Sequence, residues 1–148
     1  MYETILVPLD GSAPSEVALD HALDLAASMD ATIHALYVVD ERTLHATQLD
    51  AGGLMSAYEE EGEDIVSEAA DEATEAGVEV VTAIEHGSPH QAILQYSEEA
   101  DIDLLVMGTH GRSGLRRYLI GSVTERVLRL ADMPVLTIRA EETPVEGE

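Results

Sequence analysis

Five short apolar runs rich in β-branched residues recur along the chain, separated by segments long enough to hold a helix. They are Thr4–Leu9 (TILVPL), Thr32–Val39, Val78–Ile84, Asp103–Met107 (DLLVM) and Pro134–Ile138 (PVLTI). Parallel strands need crossovers of about a dozen residues or more, and a helix is the usual crossover. The run Asp103–Met107 is apolar throughout its centre, as a strand buried on both faces requires. The alternation therefore predicts an α/β fold, a three-layer domain with a five-stranded parallel sheet and helices on both faces. If its two halves are wound in opposite directions about the first strand, as in a Rossmann-like domain, the order is 3-2-1-4-5.

The helices are marked by their termini. Asp10-Gly11-Ser12-Ala13-Pro14 stops the first strand and opens a helix to about Met29, with Ala18, Ala22, Leu25, Ala26 and Met29 on one face. Residues 40–55 read as irregular and end in Gly52-Gly53. Ser56 and Glu59 then have capping-box spacing for a long acidic helix to Ala76, stopped by Gly77. Ser88-Pro89 opens a helix to about Ala100, and Ser122 with Glu125 repeats the capping-box spacing for a last helix to Leu130. These elements place one domain over residues 1–140, with 141–148 an acidic, disordered tail. The segment 42–55, by its length and glycines, is expected to act as a lid.

Composition removes several classes of function. The 148 residues contain no cysteine, which excludes disulfides, thiolate nucleophiles and cysteine-bound metal centres. No apolar run approaches the ~20 residues that cross a bilayer, and the acidic start Met1–Pro8 reads as a strand, so a cytoplasmic protein with no membrane partner is expected. Thirty acids face seven basic residues, all arginine, for a net charge of −23. Such a surface repels itself in dilute buffer, a property halophilic proteins use at high salt, and a halophilic protein is the expectation.

The charge is unevenly placed. Residues 1–107 hold 24 acids and a single base, Arg42, whereas residues 108–140 hold six arginines against Glu125 and Asp132. Nucleic acid is not expected as a partner, because the overall field repels a phosphate polymer and the chain has no Phe or Trp on which bases could stack. A small anion bound beside the cationic stretch is expected instead. Arg126, Arg129 and Arg139 read as partners of neighbouring acids.

In a doubly wound sheet, ligands bind beyond the carboxyl ends of the strands where the strand order reverses. Here that crevice falls between strands one and four, beside Asp10-Gly11-Ser12 and Gly108-Thr109-His110-Gly111. After Gly111 come nine residues and then Gly121-Ser122 at a helix start. The N–H groups of Ser122, Val123 and Thr124 would point out of that helix, where its partial charge favours phosphate. Arg112, Arg116 and Arg117 lie in the intervening segment, within reach of the same anion. On spacing alone, a plain strand-to-helix connection remains the other reading. A Walker A loop is excluded by the absence of lysine, and no Gly-x-Gly-x-x-Gly fingerprint occurs.

The spacing Gly108-x-x-Gly111, nine residues, Gly121-Ser122 resembles the ATP-binding motif of the universal stress protein family. The resemblance extends over about residues 2–140, through ILVPLDGS (5–12), YVVDER (37–42), MGTHGRSGL (107–115), GSVTERVL (121–128) and MPVLTIR (133–139). It implies adenine and ribose beside Pro8, Asp10, Val38, Met107 and Gly108, and phosphates cradled by Gly111, Gly121, Ser122 and Val123. It implies ATP as the cofactor, with Mg²⁺ or Mn²⁺ bound through the phosphates. It also implies a homodimer paired through residues 134–138.

The chemistry of individual residues leaves alternatives. Asp10 suits a ribose hydroxyl, with a helix N-terminus that favours an acid as the lesser alternative. Val38 is either an apolar wall for a base or core. His110 would contact phosphate, contribute to catalysis or play a structural or supporting part, the last being preferred. Asp40 and Glu41 are carboxylates able to approach a phosphate-held metal. His86 and His90 straddle a strand end and a helix start, so they read as surface histidines rather than a metal pair. No catalytic base is evident, and the expected function is a nucleotide-dependent regulatory module with at most slow ATP hydrolysis. The alternatives are a nucleotide-free interaction scaffold of the same fold and an ATP-hydrolysing or phosphotransfer enzyme.

Overall fold

The structure, a computed structural model, describes residues 1–41, 51–109 and 120–139. Strands β1 (Thr4–Pro8), β2 (Thr32–Asp40), β3 (Val80–Gly87), β4 (Leu104–Gly108) and β5 (Val135–Ile138) form one parallel sheet in the order β3-β2-β1-β4-β5. Helices α1 (Ala13–Met29), α2 (Ala51–Glu75), α3 (Pro89–Glu99) and α4 (Ser122–Leu130) are the crossovers. The fold class is the one expected from the alternation, and the strand order is the one expected for two oppositely wound halves.

Because side chains alternate across a strand, each strand supplies both faces of the sheet. On one face Ile5, Val7, Leu104 and Val106 pack with Ala18, Leu19, Ala22 and Ala26 of α1 and Ala69 and Ala73 of α2. On the other, Leu6, Leu36, Leu105 and Met107 pack with Ile93 of α3 and Val127 of α4. Central strand β1 has Ile5, Leu6 and Val7 fully buried. Alanines let α1 lie close to the sheet. Leu19 and Leu23 take the buried positions beside them, while Leu25 and Met29, expected on that face, are only partly buried at its flank.

The largest departure from expectation is α2. It begins at Ala51 and runs 25 residues, so Gly52-Gly53 are helical and Ser56-Glu59 lie inside the helix rather than capping it. Leu54, Met55 and Tyr58 pack against Tyr37, Val39 and Val66, and this burial overrides the low helix propensity of the glycine pair. Of the expected lid, residues 42–50 lie outside the described residues and 51–55 belong to the helix. Gly77, at φ +76, ends the turn after α2 as expected.

Strand β3 is also displaced. It starts at Val80 rather than Val78 and continues through Glu85 and His86 to Gly87, because β2 offers partners as far as Asp40. It is an edge strand, and its half-exposed faces tolerate the polar residues that hid its end in the sequence.

Candidate functional site

The turn after β1 is built by short polar side chains. Asp10 Oδ1 accepts the Ser12 N–H at 3.0 Å, Gly11 sits at φ +83, and Ser12 caps α1 by accepting the Ser15 N–H at 3.3 Å. An Asp holding the backbone N–H two residues on is an Asx turn, which fixes where its own carboxylate stands. The Asp10 carboxylate thus serves the turn, and it also borders the cleft described next.

Across the sheet, β4 ends at Gly108. A methyl group there would lie 2.8 Å from Pro14 Cβ and 2.9 Å from its backbone carbonyl, so the first turn of α1 rests directly on this residue. The family resemblance implies Gly108 beside adenine and ribose; the structure shows a packing reason for a glycine there. Gly121 likewise differs from expectation. Its φ of −63° is open to any residue, and it, not Ser122, is the N-cap of α4, with no side-chain cap bond. Ser122 and Glu125 therefore do not form a capping box; Glu125 instead pairs with Arg129 at 2.8 Å, as anticipated for that arginine. The start of α4 is fastened to the end of β4 by Gly121 N–H donating to Thr109 O at 2.7 Å and Thr124 Oγ1 donating to Gly108 O at 2.9 Å.

Between these two strand ends lies a cleft of about 290 Å³. Pro8, Asp10, Val38, Met107, Gly108, Gly121, Ser122 and Val123 all line it. Its walls differ in chemistry. Leu36, Val38, Ile93 and Met107 make an apolar side, Asp10 and Asp40 bring carboxylates, and the first turn of α4 brings backbone N–H groups that lack intrahelical acceptors. Val38 is only partly buried, so it is a wall of the cleft as well as a neighbour of the core. Pro89 and Ile93 of α3 complete the enclosure. Sequence reasoning missed both, although the Ser88-Pro89 helix start it identified places them at the same end of the sheet. Gly111, His110, Arg112, Arg116 and Arg117 lie outside the described residues.

Asp10 and Asp40 are hard oxygen donors of the kind Mg²⁺ accepts, and they border the same cleft. Among the described residues no cluster of three or more His, Asp or Glu could hold an ion alone. Glu41 does not line the cleft. His86 is separate from it; its Nε2 lies 2.8 Å from Glu59 Oε2, joining β3 to α2, while His90 Nδ1 lies 3.4 Å from Ser88 Oγ. Among the described residues no helix is long and apolar enough to cross a membrane.

A doubly wound α/β domain with a mixed apolar and N–H-lined cleft at its switch point defines the class of protein. Residues 1–139 match the universal stress protein family, and the chain belongs to that family. It is 36% identical over 141 residues to universal stress protein MJ0531 of Methanocaldococcus jannaschii, covering 94% of this chain and 83% of that one. The solved structure of MJ0577, a universal stress protein of the same organism, superposes with a TM-score of 0.87 at 31% identity, over 97% of this chain and 99% of the other. A universal stress protein solved in complex with cAMP matches at TM-score 0.74 and 28% identity, over 95% and 99% of the two chains.

Proposed function

We propose that this chain is an ATP-binding universal stress protein, a regulatory module whose nucleotide occupancy is the signal, with at most slow hydrolysis. One observation carries the reading: every described residue of the carried-over nucleotide motif lines one cleft at the switch point of the sheet. Adenine packs between Val38, Met107 and the α3 residue Ile93, ribose hydroxyls donate to Asp10, and the phosphates face Gly121, Ser122 and Val123. The family resemblance implies Gly111 for the same cradle, and Arg112, Arg116, Arg117 and His110 are the further phosphate contacts that the sequence offers. Asp40 with Asp10 would assist a Mg²⁺ or Mn²⁺ ion held by the phosphates. The cAMP complex of a 28% identical relative supports an adenine nucleotide as the ligand class.

The family resemblance also supports a homodimer through β5, and the edge position of that strand with Leu136 38% exposed is compatible with it. Scattering at micromolar concentration in molar KCl should give twice the mass of the chain; a monomer would remove the dimer from the proposal.

Calorimetric titration with ATP and Mg²⁺ in molar KCl tests the nucleotide site. Wild type should bind in the micromolar range and Gly121→Val, which puts a branched side chain at the cradle, should not. No binding by folded wild type would favour an interaction scaffold of the same fold. Rapid release of ADP by pure protein would favour an enzyme.

A further inference from the structure

Thr124 follows the three motif residues that begin α4, and its side chain is buried at 3% exposure. A buried hydroxyl is stable only with a partner, and here the partner is the Gly108 carbonyl, 2.9 Å from Thr124 Oγ1. That carbonyl belongs to the last residue of β4, the residue on which Pro14 of α1 also rests. Gly108 therefore links the two halves of the cleft, with α1 against it on one side and α4 hydrogen-bonded to it on the other. α4 has no side-chain N-cap, and its apolar residues Val123 and Val127 hold it on the sheet without fixing a direction. Among the described residues the Thr124 bond and the Gly121–Thr109 backbone bond are the directional ties between its first turn and the end of β4.

We propose that Thr124 is a positioning residue for the phosphate half of the site, holding the α4 N–H groups in register with the base-and-ribose half on β1, β2 and β4. The inference rests on the nucleotide reading above. A helix free to slide by a fraction of an ångström loses alignment with a phosphate but leaves the apolar base pocket intact. The bond is thus expected to matter for nucleotides and not for nucleosides.

The experiment compares ATP and adenosine binding, by calorimetry in molar KCl, for wild type, Thr124→Val and Thr124→Ser. Valine keeps the shape and removes the hydroxyl; serine keeps the hydroxyl. Thr124→Val should weaken ATP about tenfold, the equivalent of one hydrogen bond, and leave adenosine within about twofold, while Thr124→Ser restores ATP. Should the valine variant not fold, Thr124→Ala against Thr124→Ser gives the same contrast. Equal weakening of ATP and adenosine, or none, in a folded variant overturns the positioning role while leaving the nucleotide site standing. A folded wild type that binds neither ligand overturns both.

Discussion

Pro14 and Gly108 are in direct contact, the first turn of one helix resting on the last residue of a central strand, with no room between them for a methyl group. Gly108→Ala would place Cβ 2.8–2.9 Å from Pro14 side-chain and backbone atoms, and the backbone cannot swing aside as a flexible side chain can. The substitution should destabilise by about 1–3 kcal/mol, seen as a lower urea midpoint with an unchanged slope.

Gly62 lies mid-helix in α2, where alanine ordinarily gains about 1 kcal/mol over glycine. Here the ring of Tyr37 occupies the space, and its Cδ2 would collide with the new methyl group. Tyr37 is itself buried at 4% exposure, so the ring has little freedom to yield. Overpacking, typically about 1–3 kcal/mol, should outweigh propensity, and Gly62→Ala should melt below wild type.

Along the groove between α1 and α2, Glu16, Glu68 and Glu72 line a common surface with Asp20 nearby in α1. Burial, then repulsion from Asp20, Glu16, Glu68 and Glu75, raises the Glu72 carboxyl above 4.5. A raised acid adds stability that is complete below the unfolded value and is lost as pH climbs through the folded one. At pH 7 Glu72 is therefore a burden. Glu72→Gln should raise Tm in dilute buffer, and the gain should shrink in molar KCl as the charges are screened. A gain of equal size in both would remove electrostatics as the cause. Wild type should itself melt higher in molar salt.

His34 of β2 and Tyr96 of α3 meet edge-to-face, with Nδ1 2.8 Å from the phenol oxygen. Burial lowers the His34 value below 6.5, and Tyr96 is raised by burial and then by Glu85. A depressed histidine contributes stability above its unfolded value, which is lost as pH falls through the folded one. His34→Asn keeps an acceptor near Nδ1 but cannot titrate. The fall in Tm between pH 7.5 and 5.5 should be smaller in that variant than in wild type.

The sheet was legible because buried parallel strands are written as uninterrupted apolar runs, β4 most plainly. Helix starts were legible where a short polar side chain makes the cap, as Ser12 does. They were misread where tertiary contact decides: α2 is extended backward by packing on Tyr37, and α4 is anchored by Gly121 and Thr124 rather than capped by Ser122. The cleft was legible on β1 and β4 because glycine and aspartate punctuate their ends. Pro89 and Ile93 were missed, since nothing local to α3 says which strand end its first turns will overhang.

Strands β1, β2 and β3 and the Asp10 side of the cleft come from the first 87 residues, while Ile5 of β1 pairs with Leu104, roughly a hundred residues further on. A nascent chain or partly folded intermediate that has assembled only its first three strands therefore owns half a cleft and no α4. Ligand occupancy is a property of the finished fold alone. A ligand held between Asp10 and Gly121 would draw the whole chain toward its native state by mass action, and its concentration would then bear on how much of the chain is folded.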